Sequence, residues 1–150
     1  MYKLRIEKDA QDDIKNLIAE GGKARADAFK IVAFLEELKG NRLWLNELLT
    51  RKFEHERFDV DRFLEYWNQG LDIWRLKVFE FVSARNRSYP LPLRVIYCYD
   101  QQSLAFRVLA VCKRDFDYQP DHEQTKRICS LYDSLGLPKH VTRGSRGTRH

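Results

Sequence analysis

Proline and glycine are scarce, four and seven among 150 residues, too few for a collagen-like repeat or a Pro/Gly-rich low-complexity chain. No apolar run approaches the roughly 20 residues of a membrane-spanning helix. Residues 1–15 mix charge with hydrophobe, unlike a secretory leader, and a cytosolic protein without membrane contact is expected. The three cysteines, Cys98, Cys112 and Cys129, are odd in number and widely spaced, which predicts reduced, buried thiols and not a disulfide framework. With only four histidines, no C-x-x-C pair and no H-E-x-x-H, neither a metal nor a cofactor is expected. The Gly21-Gly22 pair follows a helical pattern without a Lys-Ser or Lys-Thr partner, so a phosphate-cradling loop for nucleotide hydrolysis is not expected either.

What the chain does contain is core material: 43% hydrophobic residues, with nine Phe, seven Tyr and three Trp, at a length suited to one domain. The formal net charge is +5, but Lys139, Arg143, Arg146 and Arg149 supply four of those charges in the last twelve residues, where there is no acid. The remainder is almost balanced. Any affinity for a polyanion must therefore come from local clustering of cations, not from the sum.

Periodicity divides the chain into elements. Tyr2, Leu4 and Ile6 alternate with Lys3, Arg5 and Glu7, the pattern of a strand with one buried face. Ile14, Leu17 and Ile18 recur at helical spacing after Asp9, a candidate cap, and end at Gly21-Gly22. Ala24, Ala28, Ile31, Leu35 and Leu38 mark a second helix over Lys23 to Lys39, closed by Gly40 and Asn41. Residues 41–70 form a partly helical insert. Three β-rich runs follow, Leu71 to Val82, Leu93 to Asp100 and Leu104 to Cys112, with a tight turn at Asp100 to Ser103 and a longer loop expected at Ser83 to Pro92. A last helix is predicted from Asp121 as cap and Gln124 as capping-box partner, with Ile128, Leu131, Tyr132 and Leu135 as its apolar stripe. The expected fold is α+β: an N-terminal strand and helical hairpin on a mainly antiparallel sheet, in the order β-α-α-β-β-β-α. Residues 1–138 make the domain, and 139–150 a flexible basic tail.

Cations recur inside the strand runs. In Ile73-Trp74-Arg75-Leu76-Lys77-Val78-Phe79, alternation sends Trp74, Leu76 and Val78 to one face and Arg75 with Lys77 to the other. Arg94 points opposite in sense to Leu93, Val95 and Tyr97, and Lys113 and Arg114 end the third run with Tyr118 close behind. If the strands are neighbours, Arg75, Lys77, Arg94 and Arg114 converge on an open face suited to a polyanion. The alternative is a solvated face whose charges pair with Glu80, Asp115 or Asp117. Arg85, Arg87 and Tyr89 in the expected loop form a second candidate, able to grip phosphate and stack on a base, or else an ordinary mobile loop. His122, at the start of the last helix, is expected near the cap and not in proton transfer. His55 has less support still.

Element order and residues together reach a resemblance. Trp-Arg-Leu-Lys at 74–77, Leu-Arg-Val-Ile-Tyr at 93–97 and Cys-Lys-Arg-Asp-Phe-Asp-Tyr at 112–118, carried on this order of elements, resemble the RelE/ParE superfamily of bacterial type II toxins, in its RelE- and HigB-like branch. The resemblance covers the chain apart from the insert and the tail. It implies a metal-independent endoribonuclease that acts on messenger RNA at the ribosome and is silenced by a cognate antitoxin. Carried over residue by residue, it implies a catalytic set of Arg75, Lys77, Arg94, Arg114 and Tyr118, with Arg85, Arg87, Tyr89 and Lys113 as further RNA contacts.

Metal-free cleavage needs a base for the 2′-hydroxyl, charge stabilisation on the phosphoryl oxygens and a proton for the leaving oxygen. Arg75 and Arg94 suit the phosphate. Lys77, crowded by Arg75 and by Arg114, suits the base. Arg114 suits the leaving group, and Tyr118 suits stacking or proton transfer. A gyrase-poisoning binder and a nontoxic nucleic-acid-binding or interaction domain are the alternatives on the same scaffold. Trp44, Leu45, Leu48, Phe63 and Trp67 of the insert offer either a groove for an antitoxin helix or closure of the domain's own core.

Overall fold

The computed structural model describes residues 2–114 and 122–140. Strand β1 (Lys3–Ile6) leads into the helices α1 (Lys8–Glu20) and α2 (Gly22–Lys39), which form the expected hairpin. The insert holds α3 (Arg42–Asn46), β2 (Phe53–Glu54), β3 (Phe58–Arg62) and α4 (Leu64–Trp67). The chain continues through β4 (Ile73–Val82), β5 (Arg87–Asp100) and β6 (Ala105–Lys113), and ends its described part with α5 (Glu123–Ser134). The six strands make one open sheet in the order β1-β6-β5-β4-β3-β2, parallel between β1 and β6 and antiparallel elsewhere. The fold is α+β, with a mixed sheet and five helices among the described residues.

Alternation assigns the two faces. Leu4, Phe58, Val60, Trp74, Leu76, Val78, Leu93, Val95, Tyr97 and Phe106 pack under α1 and α2, whose stripe of Ile14, Leu17, Ile31, Phe34, Leu35 and Leu38 completes the larger core. On the opposite face Ile73, Ile96, Cys98, Leu109, Ala110 and Cys112 pack under Ile128 and Tyr132 of α5. A bulge between β5 and β6, where Ile96 pairs with Ala110 but Tyr97 with Val108, turns both Leu109 and Ala110 toward α5. Where β6 outruns β1, the carboxylate of Asp13 accepts the Val111 N–H at 2.9 Å and binds Arg127 of α5 at 2.9 Å, tying both helical layers to the same strand.

Two expectations need correction and one needs extension. The insert is partly helical, as expected, but not only that. It adds β2 and β3 to the sheet, and Phe58-Asp59-Val60-Asp61 alternates at period two because only its apolar face is buried. The segment from Ser83 to Pro92 is not a long loop: a 3-10 turn at Ser83–Arg85 closes a hairpin, and β5 begins at Arg87. The pairing jumps from Lys77↔Arg94 to Phe79↔Pro90, so Leu91 to Leu93 oppose Val78 alone in a wide bulge. Pro90 and Pro92 sit where β5 has run past the last residue paired with β6, at Leu93, an edge position where a missing N–H is tolerated. Finally, the side chain capping α5 is that of His122, whose Nδ1 accepts the Gln124 N–H at 3.1 Å. Asp121 lies outside the described residues.

The insert's apolar residues close the domain's own core. Leu45, Leu48 and Phe63 are buried, Trp44 stacks on Phe34, and the buried Tyr97 hydroxyl donates to the Leu48 carbonyl. Trp44 and Trp67 are half-buried, and Leu43 and Leu64 beside them are exposed. Of the expected tail, Lys139 is exposed and pairs with Asp133 at 2.7 Å, whereas His140 is packed, its ring 3.6 Å from that of Trp67. Gly70 permits this docking, since its φ is +89° and a Cβ there would come within 2.8 Å of the His140 carbonyl oxygen. The cysteines are free thiols, Cys98 and Cys112 buried and Cys129 half-buried. Burial pushes the Cys112 thiol up to about 12 and raises Cys98 further, which makes both inert. Among the described residues no helix is long and apolar enough to cross a membrane.

Candidate active site

The sheet face opposite the helical hairpin is divided between α5 and solvent. α5 covers β5 and β6, leaving exposed ground over β3 and β4 with Arg94 at the border. Two cross-strand rows define it. One runs Asp59–Lys77–Arg94–Cys112, the other Asp61–Arg75–Ile96–Ala110. Residues directly opposite in an antiparallel pair stand with their Cβ atoms about 5 Å apart, so Lys77 and Arg94 are immediate neighbours. Arg75 lies two residues from Lys77 on the same face. Three of the five expected catalytic residues are thus brought together.

Each cation is held differently. Arg94 is 8% exposed, and its Nη1 donates to its own strand's carbonyls at Leu91 (2.9 Å) and Leu93 (3.0 Å), both within the bulge. Its charge is fixed in place before any ligand arrives. Arg75 is half-buried with its guanidinium 5.5 Å from the Phe63 ring centroid, and its Nε finds no acceptor among the described residues. Lys77 is half-buried and lines a cleft of about 260 Å³ together with Arg75, Asp59 and Asp61. Burial lowers its pKa from the ordinary lysine value, and the Arg75 and Arg94 charges add to that against the weaker pull of Asp59 and Asp61. The crowding expected from Arg114 is supplied by Arg94. Among the described residues neither Arg75 nor Lys77 forms an ion pair within 4.0 Å, and Glu80, one expected partner, binds Lys30 of α2 instead.

The other expected residues that the structure describes lie elsewhere. Arg114 follows β6, its N–H donating to the Pro92 carbonyl at 3.1 Å, and borders a cleft of about 400 Å³ with Glu20, Lys23 and Asp27 of the helical hairpin. Lys113 pairs with Glu20 at 2.9 Å on that same side. Arg85 and Arg87 are exposed at the tip of the β4–β5 arm, within 5.7 and 4.9 Å of the Tyr89 ring. Tyr89 is opposite Glu80, whose partner Lys30 is in α2, so it projects toward the helical hairpin and away from Lys77. Tyr118, Asp115 and Asp117 lie outside the described residues. His122 is exposed, its Nδ1 occupied as cap acceptor.

Asp59 and Asp61 were not among the expected site residues, although they face Lys77 and Arg75 across β3 and β4. Their signal is the alternation of Phe58-Asp59-Val60-Asp61, which puts two carboxylates on one strand face. A comparison of the chain with protein-family models, curated proteins and solved structures finds no match in any of the three. The functional reading therefore rests on the three cations of this face, two of which, Arg75 and Lys77, line the cleft.

Proposed function

We propose that the chain is the toxin of a type II toxin–antitoxin pair, a metal-independent endoribonuclease on a RelE-like scaffold that cuts messenger RNA at the ribosome. The supporting observation is the Lys77–Arg94 cross-strand pair with Arg75 beside it, three cations from two strands on one face. In this reading a backbone phosphate lies on Arg75 and Arg94, whose fixed charges meet the negative charge that grows on the phosphoryl oxygens. Lys77, in its unprotonated form, takes the proton of the 2′-hydroxyl. The 2′-oxygen bonds to phosphorus as the bond from phosphorus to the 5′-oxygen breaks, leaving a 2′,3′-cyclic phosphate and a 5′-hydroxyl. The departing oxygen takes up a proton, for which the resemblance offers Tyr118.

Induced expression in a bacterial host is expected to stop growth and to yield transcripts cut within translated regions, with those end groups. A neighbouring small antitoxin gene is expected to relieve the arrest. DNA breaks with intact transcripts would replace this reading by the gyrase one, and unaffected growth, transcripts and gyrase by that of a nontoxic interaction domain.

The lowered pKa of Lys77 sets a second expectation. A base works only when unprotonated, so the single-turnover rate rises with pH and levels off below the pH at which an ordinary lysine would titrate. Lys77→Arg retains a charge that never leaves; it is expected to cost about 10² to 10⁴-fold in rate and to abolish the rising limb. A wild-type rate that falls across that range would remove Lys77 from the role.

A further inference from the structure

Cutting a phosphodiester uses the cationic half of the cleft and leaves its acidic half without a task. Glu54, Asp59 and Asp61 line the β2–β3 side, with Lys52 just before β2 as its one cation among the described lining residues, while Arg75 and Lys77 line the other. The two aspartates differ in how far they are engaged. Asp61 accepts the Arg62 N–H at 2.8 Å on Oδ1, which also has Arg51 Nε at 3.9 Å. Asp59 has only the His55 N–H, at a long 3.4 Å, and no ion pair among the described residues. An ionised carboxylate offers about four acceptor positions, so most of the Asp59 capacity is unused although the residue is half-buried. No three His, Cys, Asp or Glu side chains among the described residues gather as a metal group that would employ it.

A ligand satisfying both walls carries an anionic group and, roughly one to two strand spacings of about 4.8 Å away, a pair of hydrogen-bond donors. That is the scale of a nucleotide from phosphate to base edge. Among RNA bases only guanine presents two adjacent donors on its Watson–Crick edge, N1–H and N2–H. Adenine and cytosine set a ring-nitrogen acceptor beside their amino group, and uracil flanks its one N–H with carbonyls. Two carboxylate oxygens match guanine and are repelled by the acceptors of the others.

We infer that Asp59 is a specificity residue that reads guanine, accepting N1–H and N2–H while the attached phosphate lies on Arg75, Lys77 and Arg94. The inference rests on the reading of this cleft as the RNA-cleaving site. It also gives the insert a role: β3, the strand that widens the sheet, delivers the base-reading group.

The test has two arms on the full chain. In the first, guanosine, inosine and adenosine 3′-monophosphates are titrated at fixed ionic strength and followed by NMR. Guanosine is expected to bind about tenfold or more tighter than adenosine, with inosine, which lacks the N2 amino group, between them. Asp59→Asn, which keeps the shape but turns an amide N–H toward the base donors, is expected to remove the gap, and Asp61→Asn to leave most of it. In the second arm, cut ends are sequenced from RNA treated with each protein, and guanine enrichment beside the cut is expected to vanish in Asp59→Asn. Equal affinities in the wild type, or a gap that survives in a folded Asp59→Asn protein, overturns the inference. Base-blind cleavage does so too while leaving the nuclease reading intact, whereas guanosine preference with uncut RNA supports guanine recognition and overturns the nuclease reading.

Discussion

Replacing Lys77 and Arg94 together by alanine is expected to end both growth arrest and RNA cleavage. Loss of one preorganised charge at a developing oxyanion costs about 2.7 to 4 kcal/mol of barrier, or about 10² to 10³ in rate. Arg94 fits that description because two backbone carbonyls hold it in place. Lys77 stands directly opposite it and, in the proposed reading, acts on the same phosphate. Groups that act as one unit lose less together than the product of their separate losses, so the double variant is expected to fall only modestly below the worse single one. Arg94→Lys should recover little, since an ammonium cannot reproduce the forked donors. Lys113→Ala is the internal control: that lysine is paired with Glu20 on the other side of the sheet, and its loss is expected to leave the rate within about twofold. Single-turnover cleavage, with circular dichroism to confirm folding, separates these cases. Full toxicity in a folded Lys77→Ala/Arg94→Ala protein would mean that this face does not cut RNA.

The parts of this site legible in the sequence are those where one rule acts without competition. Trp74 to Val78 alternates cleanly because β4 is buried on one face and charged on the other, and that alone put Arg75 and Lys77 together. Leu93, Val95 and Tyr97 fixed the sense of Arg94 in the same way. Legibility failed where two rules conflicted. Pro90 and Pro92 signal a loop in any central strand, but β5 at that point is an edge strand with a wide bulge opposite Val78, so the prolines break no ladder. β2 is two residues long, too short for any period to show. β3 does alternate, but between the leucine-rich run at 43–49 and the aromatic run at 63–67 its five residues were absorbed into an apparently helical insert. Missing β3 meant missing Asp59 and Asp61. The cap of α5 at His122, one residue past the expected position, is a one-residue shift that composition does not decide. The convergence of Arg114 failed for a geometric reason: past Lys113 the chain leaves the ladder in a turn, where strand alternation no longer sets direction.

Whether β3 is a true part of the domain has an energetic answer, and Phe58→Ala is expected to give it. Phe58 is fully buried, with the rings of Phe34, Trp44, Phe53 and His55 all within 5.4 Å of its own, centroid to centroid. Phe34 belongs to α2 and the other three to the insert, so this ring joins the insert to the hairpin. Truncating a buried phenylalanine costs about 3 to 5 kcal/mol, a large share of the roughly 5 to 15 kcal/mol by which a domain is stable. If the insert shares one core with the rest, urea unfolding keeps a single transition and its ordinary slope, and only the midpoint falls. An insert that folded as a separate unit would instead give a second, earlier transition, or a loss below about 1 kcal/mol in the main one. The former outcome is expected, because Phe58 also pairs in register with Val78 and precedes Asp59, which faces Lys77. The core that fixes the position of Asp59 is then the same core that holds β4, and the Asp59 and Lys77 sides of the cleft are joined by it.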